Sequence, residues 1–399
     1  MLRRLLAFIL ILATFLSSTG FLGFLSLGSK PVIDPVLVPA ADVALPSTPI
    51  TDLGDGFVLT FDQNTLTASV IDLRSGRTKQ VKTRRQDRDT WASIVYANAI
   101  GRFGRDAEIL LAKLDRDPDN PPVISHAFRQ HASRCRYGEC YTGLTQALLD
   151  RETATLLPLP NKGGDFIGVT AWEQLLYMEK GPDGYTLRLC SIDGKELHAV
   201  TLPLDEYASI SAFPLEDGLL LLHKNQDKET MTLSASIMVL DRELNAGPAI
   251  EMGDNFSLLD FRNPHQSAKH NLILMPSMRL GGILMYNTEK GQWHILTEGD
   301  AGVRTDALTT ETLARLQSLY GSMSTLNVAG MSSDGSFALI TSMYHGLYKL
   351  DLETLTLTQP MDEAALESIG LNSFTAAYLS WDGGEFVVDP SNVFRLEYR

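Results

Sequence analysis

Gln174–Val200 reads QLLYMEKGPDGYTLRLCSIDGKELHAV, and the fold follows from how this stretch divides. An apolar run (Gln174–Glu179) meets the turn residues Gly181-Pro182-Asp183-Gly184. A second run (Tyr185–Asp193) ends in a hydrophobic-Asp pair, Gly194-Lys195 turns the chain, and Glu196–Val200 leads away. Short apolar runs separated by Gly, Pro and Asp predict antiparallel strands joined by tight turns. The same unit recurs at Gly56–Asp62, Leu66–Arg74 and Thr78–Val81; at Gly218–His223 with Met231–Asp241; at Asn271–Pro276 with Ile283–Asn287; and at Phe337–Thr341 with Leu347–Asp351. A weaker copy runs from Val123 to Leu144–Asp150 and Thr153–Leu157, and a truncated one comprises Glu385–Asp389 and Val393–Tyr398.

The residue before the tight turn is Asp72, Asp150, Asp193, Asp241, Asn287 or Asp351, and the middle steps of this series fall in the forties. One further strand precedes each hairpin: Glu108–Leu114, Phe166–Trp172, Ile210–Pro214, Ser257–Phe261, Asn327–Met331 and Thr375–Ser380. Units of four short strands at this period are the signature of propeller blades. The expected fold is therefore all-β, a single β-propeller of seven four-stranded blades with short helical insertions and an N-terminal apolar helix. The insertions are expected in the basic stretch around Trp91-Ile94-Val95, within Asp306–Gly321, and at Asp362–Gly370. Because the last copy stops after its third strand, a segment near Val32–Val38 is expected to add the fourth and close the ring. The domain reading is 1–29 as signal peptide or membrane anchor, 30–50 as Pro-rich tether and ring-closing strand, and 51–399 as propeller.

Residues 332–337, SSDGSF, resemble the S-x-D-G turn of TolB-like and WD40-like propeller repeats, and Tyr286–Trp293, YNTEKGQW, resembles the strand-turn-strand of YVTN-type blades. The chain departs from WD40 repeats in lacking a Gly-His and a Trp-Asp pair at each blade, and the regular tryptophans of quinoprotein blades are missing. The resemblance implies a scaffold and carries over no cofactor.

With 399 residues, 44% of them hydrophobic, the chain has the composition of a folded globular protein rather than a collagen-like, disordered or polytopic membrane one. Its net charge of −14 repels phosphate backbones, so nucleic acid is not an expected partner. Arg3 and Arg4 precede Leu5–Gly28, which contains no charged residue. Such a run suits a signal peptide cleaved after Ser17–Gly20, and it also exceeds the about 20 residues needed to cross a bilayer. The expectation is an exported propeller, membrane-anchored, or secreted if the signal is cleaved. Cys135 and Cys140 flank Arg-Tyr-Gly-Glu and could pair across a hairpin, leaving Cys190 over.

The chain contains no G-x-S-x-G elbow, P-loop, dinucleotide fingerprint or H-E-x-x-H. His126 with His131 and His265 with His270 are spaced to diverge, and no metal or cofactor site is expected. The recurrent Asp is read as a turn-fixing residue accepting backbone N–H bonds. The basic run Arg74, Arg77, Lys79, Lys82, Arg84, Arg85, Arg88 opposes the overall charge and could meet anionic headgroups or an acidic partner, or form a solvated blade edge. The function expected is a protein- or ligand-binding module at the cell envelope, probed at the channel rim by Trp172, Phe213, Phe261, Met331 and Trp381, and monomeric. The alternative is a propeller-type glycoside hydrolase or lyase with channel carboxylates drawn from Asp260, Asp334 and Asp382.

Overall fold

The computed structural model describes residues 34–399 apart from 44, 46–49, 63–66, 84–91, 99–105, 116–139, 159, 161–162, 204–207, 227–232, 253–260, 262–263, 278–281, 300, 310–325, 373–378 and 390. The strand β1 (Pro35–Pro39) comes first, and the remaining strands fall into sheets in chain order. Sheet 1 holds β2 (Ile50–Gly54), β3 (Phe57–Asp62), β4 (Thr67–Asp72) and β5 (Arg77–Gln80). Sheet 2 holds β6 (Lys82–Thr83), β7 (Ala92–Asn98), β8 (Asp106–Asp115), β9 (Cys140–Asp150) and β10 (Thr155–Pro158). Sheet 3 holds β11 (Asp165–Val169), β12 (Leu175–Gly181), β13 (Gly184–Cys190) and β14 (Glu196–Leu202), and sheet 4 holds β15 (Ser209–Leu215), β16 (Gly218–Gln226), β17 (Leu233–Leu240) and β18 (Ile250–Glu251). Sheet 5 holds β19 (His265–Ser267), β20 (Leu272–Ser277), β21 (Gly282–Asn287), β22 (Gln292–Gly299) and β23 (Gly302–Ala307). Sheet 6 holds β24 (Leu326–Met331), β25 (Phe337–Ser342), β26 (Gly346–Asp351) and β27 (Leu357–Met361). Sheet 7 holds β28 (Ser380–Trp381), β29 (Phe386–Val388) and β30 (Val393–Tyr398), with β1 as its fourth strand.

The sheets pack face to face in succession, which makes the chain an all-β propeller. Leu176, Leu187 and Leu189 of sheet 3 meet Ile210, Leu219 and Leu221 of sheet 4, and Leu220, Leu222 and Ile237 meet Ile273, Met275 and Leu284 of sheet 5. Leu274, Ile283 and Leu296 then meet Val328, Ile340 and Leu350 of sheet 6. Leu339 and Leu347 meet Trp381, Val387 and Phe394 of sheet 7. Phe386, Val388 and Val393 meet Val58, Ile71 and Leu73 of sheet 1, and Leu59 and Val70 meet Leu149 and Ala154 of sheet 2. The second strand of a sheet is covered on both faces: every residue of β20 and β25 is buried, whereas all four of β5 are exposed. That gradient explains why the second strands read as continuous apolar runs while the outermost ones are polar. Each fully buried Leu or Ile contributes about 1.5–3 kcal/mol, so these interfaces carry the stability.

β1 pairs antiparallel with β30, Pro35 opposite Tyr398 and Pro39 opposite Phe394. Asp34 and Arg399 exchange backbone bonds at one end, and the Ala40 N–H donates to the Val393 carbonyl at the other. Leu37 is thereby buried among Trp381, Phe394 and Leu396. Of the expected insertions, only Asp362–Gly370 is helical among the described residues: α1 (Glu363–Ser368) is capped by Asp362, whose side chain accepts the Ala365 N–H at 2.8 Å.

Three expectations are corrected. Of the stretch expected to be helical around Trp91-Ile94-Val95, Trp91 lies outside the described residues and Ile94 and Val95 stand in strand β7, because Ala92–Asn98 carries β-branched and aromatic residues that suit a pleated surface. β7 therefore takes the innermost place in sheet 2, and the strand expected there, Glu108–Leu114, is the second. In sheet 5 the first strand among the described residues is His265–Ser267; of the expected Ser257–Phe261, residues 257–260 lie outside the described set and Phe261 makes a single bridge to Ser277. The helix expected from Asp306 runs into residues outside the described set, and β23 occupies its beginning through Ala307. Residues 1–33, with the apolar run, also lie outside that set. Among the described residues no helix is long and apolar enough to cross a membrane.

Candidate functional site

In a meander of four strands the first and third turns lie on one face and the second on the other, together with the connections between sheets. The first face, the turn face, carries the recurrent acids. Asp72 accepts the N–H groups of Arg74 (3.0 Å) and Ser75 (3.3 Å), and Asp150 those of Glu152 (3.0 Å) and Thr153 (3.2 Å). Asp241 accepts those of Glu243 and Asn245, both at 2.9 Å, and Asp351 those of Glu353 (3.1 Å) and Thr354 (2.8 Å). Asn287 does the same with Glu289 and Lys290 through its amide oxygen. The carboxylates respond as such bonds require. For Asp351, burial raises the pKa, but the Thr354 N–H and hydroxyl and the Glu353 N–H outweigh it and hold the group below its usual range. For Asp241 the Asn245 side chain, then its N–H, does the lowering.

The first turns and inner strands are stitched from sheet to sheet. Gln266 of β19 accepts the Asp217 N–H at 3.0 Å, and Glu216 accepts that of Ala268 at 3.2 Å. Ser267 donates to the Gly335 carbonyl at 3.1 Å and Lys269 to that of Asp334 at 3.4 Å. Asn327 donates to the Leu379 carbonyl at 3.4 Å, and Ser380 to Asp52 at 3.2 Å. Arg151 reaches from sheet 2 to the Leu53 carbonyl and the Asp55 carboxylate of sheet 1. At sheets 6 and 7 the backbones are so close that a Cβ on Gly330 would lie 1.8 Å from the Trp381 carbonyl oxygen.

The five rim candidates fall into four different interfaces. Trp172, half-buried in the turn after β11, packs against the sheet 3–sheet 4 cluster. The Arg242 guanidinium lies 5.2 Å above its ring and reaches Asp217 at 2.6 Å. Phe213 and Phe261 share the cluster between sheets 4 and 5. Met331 packs between sheets 5 and 6. Trp381, 1% exposed, stacks on Phe337 at 5.4 Å and donates its indole N–H to the Gly384 carbonyl at 2.8 Å. Only Phe213 and Phe261 are brought together.

Of the channel acids, Asp260 lies outside the described residues. Asp334 accepts from the Ser336 hydroxyl and N–H, and these bonds, with a contribution from Ser332, lower its pKa to about 2. Asp382 accepts the Gly384 N–H at 2.9 Å. A general acid of a glycosidase needs a raised pKa, and Asp334 is displaced the opposite way. Cys140 opens β9 and Cys135 lies outside the described residues; Cys190 is a buried thiol on β13. Beside it, burial and then the Cys190 charge push the Tyr177 hydroxyl up to about 12. Among the described residues no group of three or more His, Cys, Asp and Glu side chains is placed to hold a metal ion.

One polar cluster was not anticipated. On the opposite face, between sheets 5 and 6, Ser342 donates to Glu298, and the His345 Nε2 lies 4.0 Å from the same carboxylate oxygen. The Ser342 hydroxyl oxygen in turn accepts the N–H groups of Tyr344 (3.2 Å) and His345 (3.0 Å), and Tyr344 is 59% exposed. Serine meets the carboxylate directly, so the histidine does not stand between them as a nucleophile-activating base would. Glu298 and Ser342 come from different sheets and share no local motif, which is why sequence spacing gave no signal.

No protein-family model matches the chain, and no curated protein matches it. Among solved structures it is similar to a dihydro-heme d1 dehydrogenase NirN in complex with DHE (11% identity, TM-score 0.39, 78% of this chain and 57% of that one). It is also similar to a streptogramin B lyase (13%, TM-score 0.38, 92% and 98%) and to an oligogalacturonate lyase in complex with manganese (14%, TM-score 0.42, 79% and 76%). The chain thus spans little more than half of the NirN chain. At these identities and scores the likenesses assign neither a family nor an activity.

Proposed function

We propose that the protein is an exported, membrane-anchored propeller of seven blades that acts as a binding module at the cell envelope, its partner a protein or small ligand. Each of the seven sheets is read as one blade, with the ring completed by sheet 2 meeting sheet 3. The observation that supports binding over catalysis is the use made of the acids: the described turn carboxylates accept backbone N–H bonds and hold turns, and Asp334 is kept ionised by its own turn. The face opposite those turns, where Tyr344 is exposed beside Glu298 and His345, is the surface offered to a ligand. Leu5–Gly28 behind Arg3 and Arg4 supports export and anchoring, with the two arginines on the cytoplasmic side.

Two experiments test this reading. Carbonate extraction of membranes from cells expressing the full chain is expected to leave it in the pellet; release into the supernatant refutes the anchor. Ligand-detected NMR with envelope fractions and oligosaccharides is expected to show saturable binding without product. Turnover that is lost in Asp382→Asn would establish the enzyme alternative instead.

A further inference from the structure

We infer that the propeller rests against an anionic bilayer by one corner of its turn face, the outer corner formed by sheets 7 and 1, through Arg74, Arg77 and Lys79. The inference rests on the anchored reading above and adds an orientation and a lipid class to it.

Strand direction supplies the first part. β30 runs from the Asp389–Asn392 turn on the far face to the turn face, so antiparallel β1 begins on the turn face, at Asp34 beside Arg399. Only residues 29–33 separate Asp34 from the apolar run. Fully extended, they reach at most about 20 Å, so an anchored chain holds the outer corner of sheet 7 within that distance of the lipid.

Charge supplies the second part. Sheet 1 is the neighbour of sheet 7, with Leu73 and Ile71 packed against Phe386 and Val388. Its last turn, with exposed Arg74, and the start of β5, with Arg77, lie on the same face and at the same outer edge as Asp34. All four residues of β5, Arg-Thr-Lys-Gln, are exposed. Among the described residues β5, with Arg77 and Lys79, is the outer edge strand of sheet 1, and Lys79 also reaches the Glu152 carbonyl at 2.6 Å. Asp72, opposite Arg77 in the strand register, is occupied by the Arg74 and Ser75 N–H groups, and the exposed Glu152 lies beside Lys79. Arg399 at the neighbouring corner is matched by Glu397 at 2.8 Å.

The chain as a whole carries −14, which disfavours an anionic surface at long range. Charges farther than about 8 Å are screened at physiological salt, so contact depends on the corner that touches. The reach of the short tether selects lipid headgroups over an acidic protein as the occupant. Each Lys or Arg close to an anionic leaflet contributes about 1 kcal/mol, roughly a fivefold bias, so the three together favour the docked pose by about a hundredfold.

The full chain placed in nanodiscs, of phosphatidylcholine alone or with added phosphatidylglycerol, tests this. A fluorophore is attached at Thr78→Cys or, on the far face, at Asp183→Cys, in a Cys135→Ser, Cys140→Ser background, and the discs carry a headgroup quencher. Strong quenching at position 78 only in phosphatidylglycerol discs, lost in high salt and in the Arg74→Gln, Arg77→Gln, Lys79→Gln variant, supports the pose, provided that variant melts as the parent does. Equal quenching at positions 78 and 183 in chains that sit in the discs overturns it. A chain that never enters the discs refutes the anchored reading itself, and this inference with it.

Discussion

At Gly330 the strands of sheets 6 and 7 approach very closely, and replacing it with alanine is a direct test of how the inner strands meet. The added Cβ would lie 1.8 Å from the Trp381 carbonyl oxygen, 2.7 Å from its carbon and 3.0 Å from its Cβ, where real contacts do not fall below 3.0 Å. The obstacle is backbone, so β24 and β28 must part by about an ångström. Overpacking of this kind costs about 1–3 kcal/mol. A gap of 0.5–1 Å also forfeits roughly a quarter to a half of each dispersion contact it opens, here between Trp381 and its cluster with Leu339 and Val387. A total of about 3 kcal/mol is expected. With an unfolding entropy of about 2.1 cal/mol/K per residue over roughly 360 residues, that lowers Tm by about 4 °C. Urea denaturation monitored by tryptophan fluorescence should show a lower midpoint at unchanged slope. Gly299→Ala, which meets nothing within 4 Å and has no positive φ, is the control and should stay within about 0.5 kcal/mol of the parent. If Gly330→Ala were as stable as Gly299→Ala, the close approach of sheets 6 and 7 would be wrong.

Two further outcomes follow from the turn chemistry. Asp351→Asn should be nearly neutral, because an amide oxygen performs the same task at Asn287, whereas Asp351→Ala should cost about 1 kcal/mol in urea titrations; equal losses would deny the turn-fixing role. Asp334, held at about 2 by the Ser336 and Ser332 bonds, has its folded pKa below its unfolded one. Its contribution is present above the ordinary value of 3.8 and lost as pH falls through about 2. The stability gap between the parent and Asp334→Asn should therefore close over that window, and a gap independent of pH from 5 to 2 would contradict the bond pattern.

The repeat was legible because each sheet pays its own way locally: a hydrophobic run, a turn residue with a mechanism, and an acid that fixes the next turn. Asp72, Asp241 and Asp351 could be assigned a structural role from the residue type alone, since an Asp followed by a tight turn has backbone donors within reach. The Asp362 cap was readable for the same reason. What escaped was set by neighbours distant in sequence. β7 was mistaken for helix because its basic flank obscured a β-branched strand, and the strand order of sheet 2 shifted with it. Glu298 and Ser342 meet only because sheets 5 and 6 stack.

The account turns on β1 completing the last sheet, and a designed cross-link tests that most directly. Asp34 and Arg399 exchange both backbone bonds, so Pro35 and Tyr398, the next pair inward, face each other without them, where side chains approach most closely. In full-length Pro35→Cys, Tyr398→Cys protein, mild oxidation should form an intramolecular 35–398 disulfide, identified by peptide mapping, that raises Tm. Reduced thiols at both positions after oxidation of the folded protein, with Tm unchanged, would show that the N-terminal strand does not close the ring.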